Sequence, residues 1–113
     1  MTVKILVYIL ILIESGGNDQ AIGDNGKAVG CLQIHPCVIE DVNRIYGTTY
    51  TLKDRLLRSK SLEIFAHYIN YYCTKKRLGY EPTAMDFARI WNGGPNGHKK
   101  TATLPYWNKV ITN

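Results

Sequence analysis

The sequence predicts an α+β domain that is mainly α, and three observations carry that prediction. After Pro36, apolar residues recur at three- and four-residue spacings in several stretches, which is the pattern of helices with one buried face. Residues 16–34 are instead small, polar and glycine-rich, which suggests loops with a short hairpin at Gly23-Asp24-Asn25-Gly26. The chain of 113 residues is sized for one core, so a single domain over 1–113 is expected. No internal repeat, linker or low-complexity segment interrupts it.

The first element is an apolar run, Ile5 to Ile13, that ends at Glu14 and is stopped by Gly16-Gly17-Asn18. Its many β-branched residues leave strand and helix both open, because periodicity does not separate them in so short a run. Lys4 followed by nine apolar residues resembles the start of a signal peptide. No small-x-small cleavage site follows, however, and the run falls well short of the roughly 20 residues that span a bilayer. A core element is expected, with no cleavable signal peptide and no stable membrane insertion.

Val29 to Ile34 reads as a buried extended segment with Gln33 as its polar member. Pro36 then opens a helix with Val38, Ile39, Val42 and Ile45 on one face, closed by Gly47. Thr51 is the N-cap of a short helix, and Asp54 complements its dipole. A longer helix is expected from about Ser61 to Leu78, with Leu62, Phe65, Ala66, Ile69 and Cys73 facing the core. Lys75-Lys76-Arg77 forms its solvated basic end and Gly79 stops it. His67 on this helix reads as a surface or packed residue. Pro82 starts a further helix, with Met85, Phe87, Ile90 and Trp91 as apolar contacts, broken at Asn92-Gly93-Gly94-Pro95. Pro105 opens the last short helix, through Tyr106, Trp107 and Val110.

Fourteen Lys and Arg against nine Asp and Glu give a net charge of +5. Such a field concentrates anionic partners, among them nucleic acid, anionic lipid and bacterial wall polymer. No nucleic-acid-binding motif is present, so nucleic acid is not expected. Cys31, Cys37 and Cys73 are odd in number, which argues against a full disulfide framework, although one bridge or free thiols remain open. His35 and the three cysteines lack the usual C-x2-C spacing of a zinc site, so no metal and no cofactor are expected.

The chemistry suggested by the residues is that of paired carboxylates. Glu14 ends a buried segment, a setting that partly desolvates a carboxylate and suits it to general-acid work. Asp24, ten positions on, lies in a tight polar turn and should be wetter. Two carboxylates in unlike surroundings are what glycoside hydrolysis requires. Glutamates at helix ends and aspartates in turns are also common without any catalytic role.

Two further stretches sharpen this. Glu14-Ser15-Gly16-Gly17-Asn18 with Gly30-Cys31-Leu32-Gln33-Ile34 resembles the E-S-G-x-N … G-x-x-Q-I pattern of lytic transglycosylases and goose-type lysozymes. Ala88 to Gly97, followed by Thr103-Leu104-Pro105-Tyr106-Trp107-Asn108-Lys109-Val110, resembles a segment of invertebrate-type lysozymes. The resemblance covers the first third and last quarter of the chain. It implies a lysozyme-like fold, helix rather than strand for residues 5–13, and a β-rich flap beside an active-site cleft. The implied reaction is cleavage of the β-1,4 bond between N-acetylmuramic acid and N-acetylglucosamine in peptidoglycan.

On the same ground, Glu14 takes the place of the acid that protonates the leaving oxygen. Asp24, nine positions before Gln33, is the candidate nucleophile or base. Gln33, His35, Trp91, Asn92, Gly93 and Tyr106 are the candidate substrate contacts, with core packing an equal alternative for the aromatics. Trp91 stands where invertebrate-type enzymes usually carry His, and the dense disulfides of those enzymes are missing. A low-cysteine chain of this kind fits a phage or bacterial enzyme made in the cytoplasm and released at lysis, with glycan strands as partner and a monomeric state. The competing reading is a lytic transglycosylase that uses Glu14 alone. A third is an inactive wall-binding domain of the same fold.

Overall fold

The computed structural model describes residues 1–113. The chain runs through helix α1 (Val3–Ser15), a hairpin of β1 (Ile22–Gly23) and β2 (Ala28–Val29), and α2 (Pro36–Tyr46). A 3-10 turn at Leu52–Leu56 leads into α3 (Arg58–Tyr72), followed by α4 (Lys75–Leu78) and α5 (Ala84–Gly93). Two more 3-10 turns, Gly97–Lys99 and Thr101–Thr103, precede α6 (Leu104–Ile111). The class is mainly helical with a two-stranded antiparallel hairpin, as expected. No helix is long and apolar enough to cross a membrane.

The apolar run near the N-terminus resolves as helix. Thr2 caps it, its hydroxyl accepting from Ile5 N at 3.1 Å, and Leu6, Leu10 and Ile11 form the buried face. A four-residue spacing places Leu6 and Leu10 one turn apart on that face. Gly16 (φ +63°) and Gly17 (φ +88°) then turn the chain away in the left-handed region, where glycine carries no Cβ penalty.

The chain forms two compact units. One comprises residues 1–13 and 69–113, the other residues 14–68. In the second unit the core gathers around Leu32, Ile34, Val42 and Ile64, each at most 1% exposed. Its polar centre is Arg55, which is itself buried. The guanidinium donates to Leu52 O (2.9 Å), Lys27 O (2.8 Å) and Ile34 O (2.8 Å), so three carbonyls balance a cation removed from water. Gly30 (φ +88°) brings its backbone against the Arg55 carbonyl so closely that a Cβ would collide with that oxygen. Ser61, fully buried, donates to the same carbonyl at 3.1 Å.

In the first unit α5 packs on α6 and on the Gly97–Lys99 turn. Gly97 makes this possible, since a Cβ there would meet the Arg89 carbonyl. Buried Thr103 is the local hub. Its hydroxyl accepts from Arg89 Nε at 2.8 Å and lies 2.7 Å from Gly97 O.

Five local expectations are corrected. Residues 29–34 are buried but not extended: Gly30 and Gln33 (φ +52°) both adopt left-handed backbone, Gln33 N donates to Gly30 O, and Val29 pairs back onto Ile34. The expected helix 61–78 begins earlier, at Arg58, and breaks at Cys73-Thr74, where the Thr74 hydroxyl accepts from Arg77 N and starts α4. Its core stripe is rotated by about one residue. Ser61, Ile64, Phe65, Tyr68, Ile69 and Cys73 are buried, whereas Leu62 and Ala66 face solvent. Both sets satisfy the helical period, and the one that engages Arg55 through Ser61 is the one realised. Finally, α5 is started by Thr83 rather than Pro82, through a reciprocal cap with Asp86, and it continues through Asn92 and Gly93 to Gly94. Arg77 also departs from a merely solvated end: it donates to Pro95 O (2.6 Å) and Asn96 Oδ1 (2.9 Å), holding the loop after α5.

Candidate active site

Glu14 occupies the last turn of α1 and is half-buried. Three contacts fix the chain immediately beyond it. The Ser15 hydroxyl donates to Cys31 O at 2.8 Å and accepts from Gly17 N at 3.2 Å. Arg58 donates to Gly17 O at 2.6 Å and to Asp19 Oδ1 at 2.8 Å. The Asn18 side chain accepts from Gln20 N at 2.9 Å, closing a local turn. The E-S-G-x-N motif therefore has one carboxylate and a set of residues that hold it at a defined helix end.

Asp24 sits at the tip of the hairpin, whose register pairs Ile22 with Val29 and Gly23 with Ala28. Asp24 (φ +48°), Asn25 (φ +56°) and Gly26 (φ +89°) are three consecutive left-handed residues, a conformation that Asp and Asn tolerate better than most. Asp24 is exposed, so the two candidate carboxylates stand in unlike surroundings. Its Oδ2 lies 3.3 Å from His35 Nε2, with the two side chains 57% and 41% exposed. Water screens a pair this open, so its contribution to stability is small and its effect is on orientation. His35 is placed for this as the extended residue just before Pro36, the first residue of α2.

The Gln33 amide is engaged within the protein. Its Nε2 donates to Ala21 O (3.1 Å) and Gly30 O (3.0 Å). Its Oε1 lies where a Cβ on Gly23 would fall, so Gly23 leaves room for the amide. Gln33 thus ties the hairpin to the 30–33 turn. Glu14, Asp24, Gln33 and His35 all belong to the unit of residues 14–68.

Trp91, Asn92, Gly93 and Tyr106 belong to the other unit. Trp91 is half-buried, Asn92 is exposed and Tyr106 is buried at 8% exposure. The Gly93 carbonyl accepts from Lys100 Nζ at 2.7 Å, and a Cβ on Gly93 would strike the Thr103 methyl. The motif residues of α5 and α6 thus take part in packing.

Sequence reasoning missed Arg55, Arg58 and Thr103, which position the loops around the candidate residues. Nothing local distinguishes these side chains from solvated ones, because their partners lie 3 to 41 positions away in sequence. Cys31, Cys37 and Cys73 are free thiols, with Cys37 exposed and the other two buried. Burial pushes the Cys31 thiol up from its ordinary value. No group of three or more His, Cys, Asp or Glu side chains is arranged to hold a metal ion.

The fold places this chain in the lysozyme-like class. A chain from the crystal structure of Aeromonas hydrophila PliI in complex with Meretrix lusoria lysozyme superposes with a TM-score of 0.79 at 24% identity, over 95% of this chain and 86% of the other. Tapes japonica lysozyme superposes with a TM-score of 0.76 at 25% identity, over 96% of this chain and 87% of its own. The architecture is thus similar to that of invertebrate-type lysozymes along nearly the whole chain. No family model matches the sequence, and no curated protein matches it.

Proposed function

We propose that this protein is a muramidase that hydrolyses the β-1,4 bond between N-acetylmuramic acid and N-acetylglucosamine in peptidoglycan. The observation that carries the reading is a half-buried Glu14 at a fixed helix end together with an exposed Asp24 at a hairpin tip, within one unit of a lysozyme-like fold. Glu14 serves as the general acid that protonates the glycosidic oxygen as the bond to the anomeric carbon breaks. Asp24 serves as the nucleophile on that carbon, or as the base that activates a water. His35 orients the Asp24 carboxylate from 3.3 Å. Trp91, Asn92, Gly93 and Tyr106 are proposed as sugar contacts, on the strength of the sequence resemblance alone.

Glu14→Gln removes the acid while keeping the shape of the side chain. We expect loss of wall cleavage by at least about a hundredfold with an unchanged unfolding midpoint. Activity within about tenfold of the parent would take Glu14 out of this role.

A second reading is favoured by one observation, the place of Asp24 in the left-handed turn at the hairpin tip, where its backbone carbonyl accepts from Lys27 N. A lytic transglycosylase needs only Glu14, since the sugar's own hydroxyl attacks. Mass spectrometry of fragments from purified peptidoglycan separates the two. Reducing muramic ends mark hydrolysis, and fragments one water lighter, with 1,6-anhydro ends, mark transglycosylation. Asp24→Asn should cripple the hydrolase and barely affect the transglycosylase.

A further inference from the structure

Helix α1 buries Leu6, Leu10 and Ile11, and it also carries a second apolar row on its opposite side. Ile5, Tyr8 and Leu12 recur at spacings of three and four, and they are 53%, 66% and 48% exposed. Met1, just before the helix, is 62% exposed. Apolar side chains aligned in this way on a helix form one continuous strip, unlike scattered surface leucines, and such strips mark contact surfaces.

The charge of the unit that carries this strip points to the partner. Residues 1–13 contain no carboxylate, and exposed Lys4 lies one turn before Tyr8, flanking the row. The same unit, residues 1–13 and 69–113, holds eight Lys and Arg against two Asp and Glu, a net +6. One of those two carboxylates, Asp86, is buried and hydrogen-bonded to Tyr80 at 2.7 Å. Residues 14–68 hold six basic and seven acidic residues, a net −1. The whole positive field of the protein thus belongs to the unit that exposes the apolar row. A second copy docking on this face would bring two such fields together. A polyanion without an apolar phase would use the charge and leave the row in water.

We propose that α1 docks the protein on an anionic lipid surface, with Ile5, Tyr8 and Leu12 entering the headgroup boundary and the basic unit facing the lipid phosphates. A helix of 13 residues is about 20 Å long, too short for a hydrocarbon layer of about 30 Å, so it lies in the plane of the surface. This docking is independent of whether the protein cleaves peptidoglycan.

The test is co-sedimentation of the full chain with vesicles of phosphatidylcholine alone and of phosphatidylcholine with about 30% phosphatidylglycerol. We expect partition onto the anionic vesicles only, reduced at least about tenfold in roughly 0.5 M salt. Ile5→Ser with Leu12→Ser should lower it at least about tenfold at physiological salt, with helical circular dichroism unchanged. Tyr8→Ser, at the most exposed position of the row, is the second variant if the double variant does not fold. Absence of partition, equal partition onto neutral vesicles, or unchanged partition of the folded variants would overturn the proposal. So would a concentration-dependent dimer that the variants dissociate and that ignores vesicles, which would make a second copy the occupant.

Discussion

Gly30 combines a backbone φ of +88° with a carbonyl contact that leaves no room for a Cβ. Gly30→Ala therefore strains the backbone and displaces the Arg55 carbonyl, and with it the guanidinium that joins Lys27 to Ile34. We expect a loss of about 3 kcal/mol or more, read as a lowered urea midpoint, which is the order expected for strain plus a broken buried network. At this scale the turn chemistry around the candidate carboxylates was legible. Glu14 ahead of two glycines and Asp24 before Asn-Gly announce themselves as candidates through local chemistry. Arg55 and Arg58 did not, because an arginine that bonds distant carbonyls looks the same in sequence as one in water. The 29–34 segment was misread for a related reason. Its residues are apolar enough for a strand, and only the left-handed backbone at Gly30 and Gln33 folds it back.

The elements with strong end signals were the legible ones. Pro36 and Gly47 bound α2, and Thr51 with Asp54 caps the following 3-10 turn, as their side chains predict. Helix α5 shows the limit of such signals. Pro82 precedes the helix, but Thr83 and Asp86 set its start, the Thr83 N–H donating to Asp86 Oδ2 at 2.9 Å. Thr83→Ala should cost about 1 kcal/mol, measured by chemical unfolding, and should leave the helix otherwise in place. Helix α3 was legible as a helix but not in its rotation. Two stripes one residue apart both fit the period, and the choice between them rests on Ser61 reaching Arg55, a tertiary fact.

For the whole molecule, His98 and Cys73 each contribute to the pH dependence of stability. His98 has a buried Nδ1 without a hydrogen-bond partner, and burial followed by the nearby Arg77 lowers its pKa below 6.5. The unfolded chain therefore takes up a proton that the folded chain resists, and stability falls as pH drops below 6.5. Burial, with Asp86 adding to it, pushes the Cys73 thiol from 9.0 up to about 12. The unfolded chain then loses a proton that the folded chain keeps, so stability falls as pH rises above 9.0. Urea midpoints across pH under reducing conditions should show a plateau between these limits. His98→Gln should soften its acid edge and Cys73→Ala should soften its alkaline edge, to which the buried Cys31 thiol also contributes, while a variant with an unchanged slope would refute the corresponding assignment. At this scale the fold class was legible from composition and helical period. The division into a basic and a near-neutral unit was not, because residues 1–13 come together with residues 69–113 only in three dimensions.

The three free thiols have a consequence for how the protein is made. With no covalent cross-link, the unfolded chain keeps its full conformational entropy, and the native state rests on non-covalent contacts. Folding to this state includes no disulfide-forming step, so neither an oxidant nor a disulfide isomerase is needed for it. Refolding from urea in the presence of a reductant should therefore be complete, with no phase that depends on thiol oxidation.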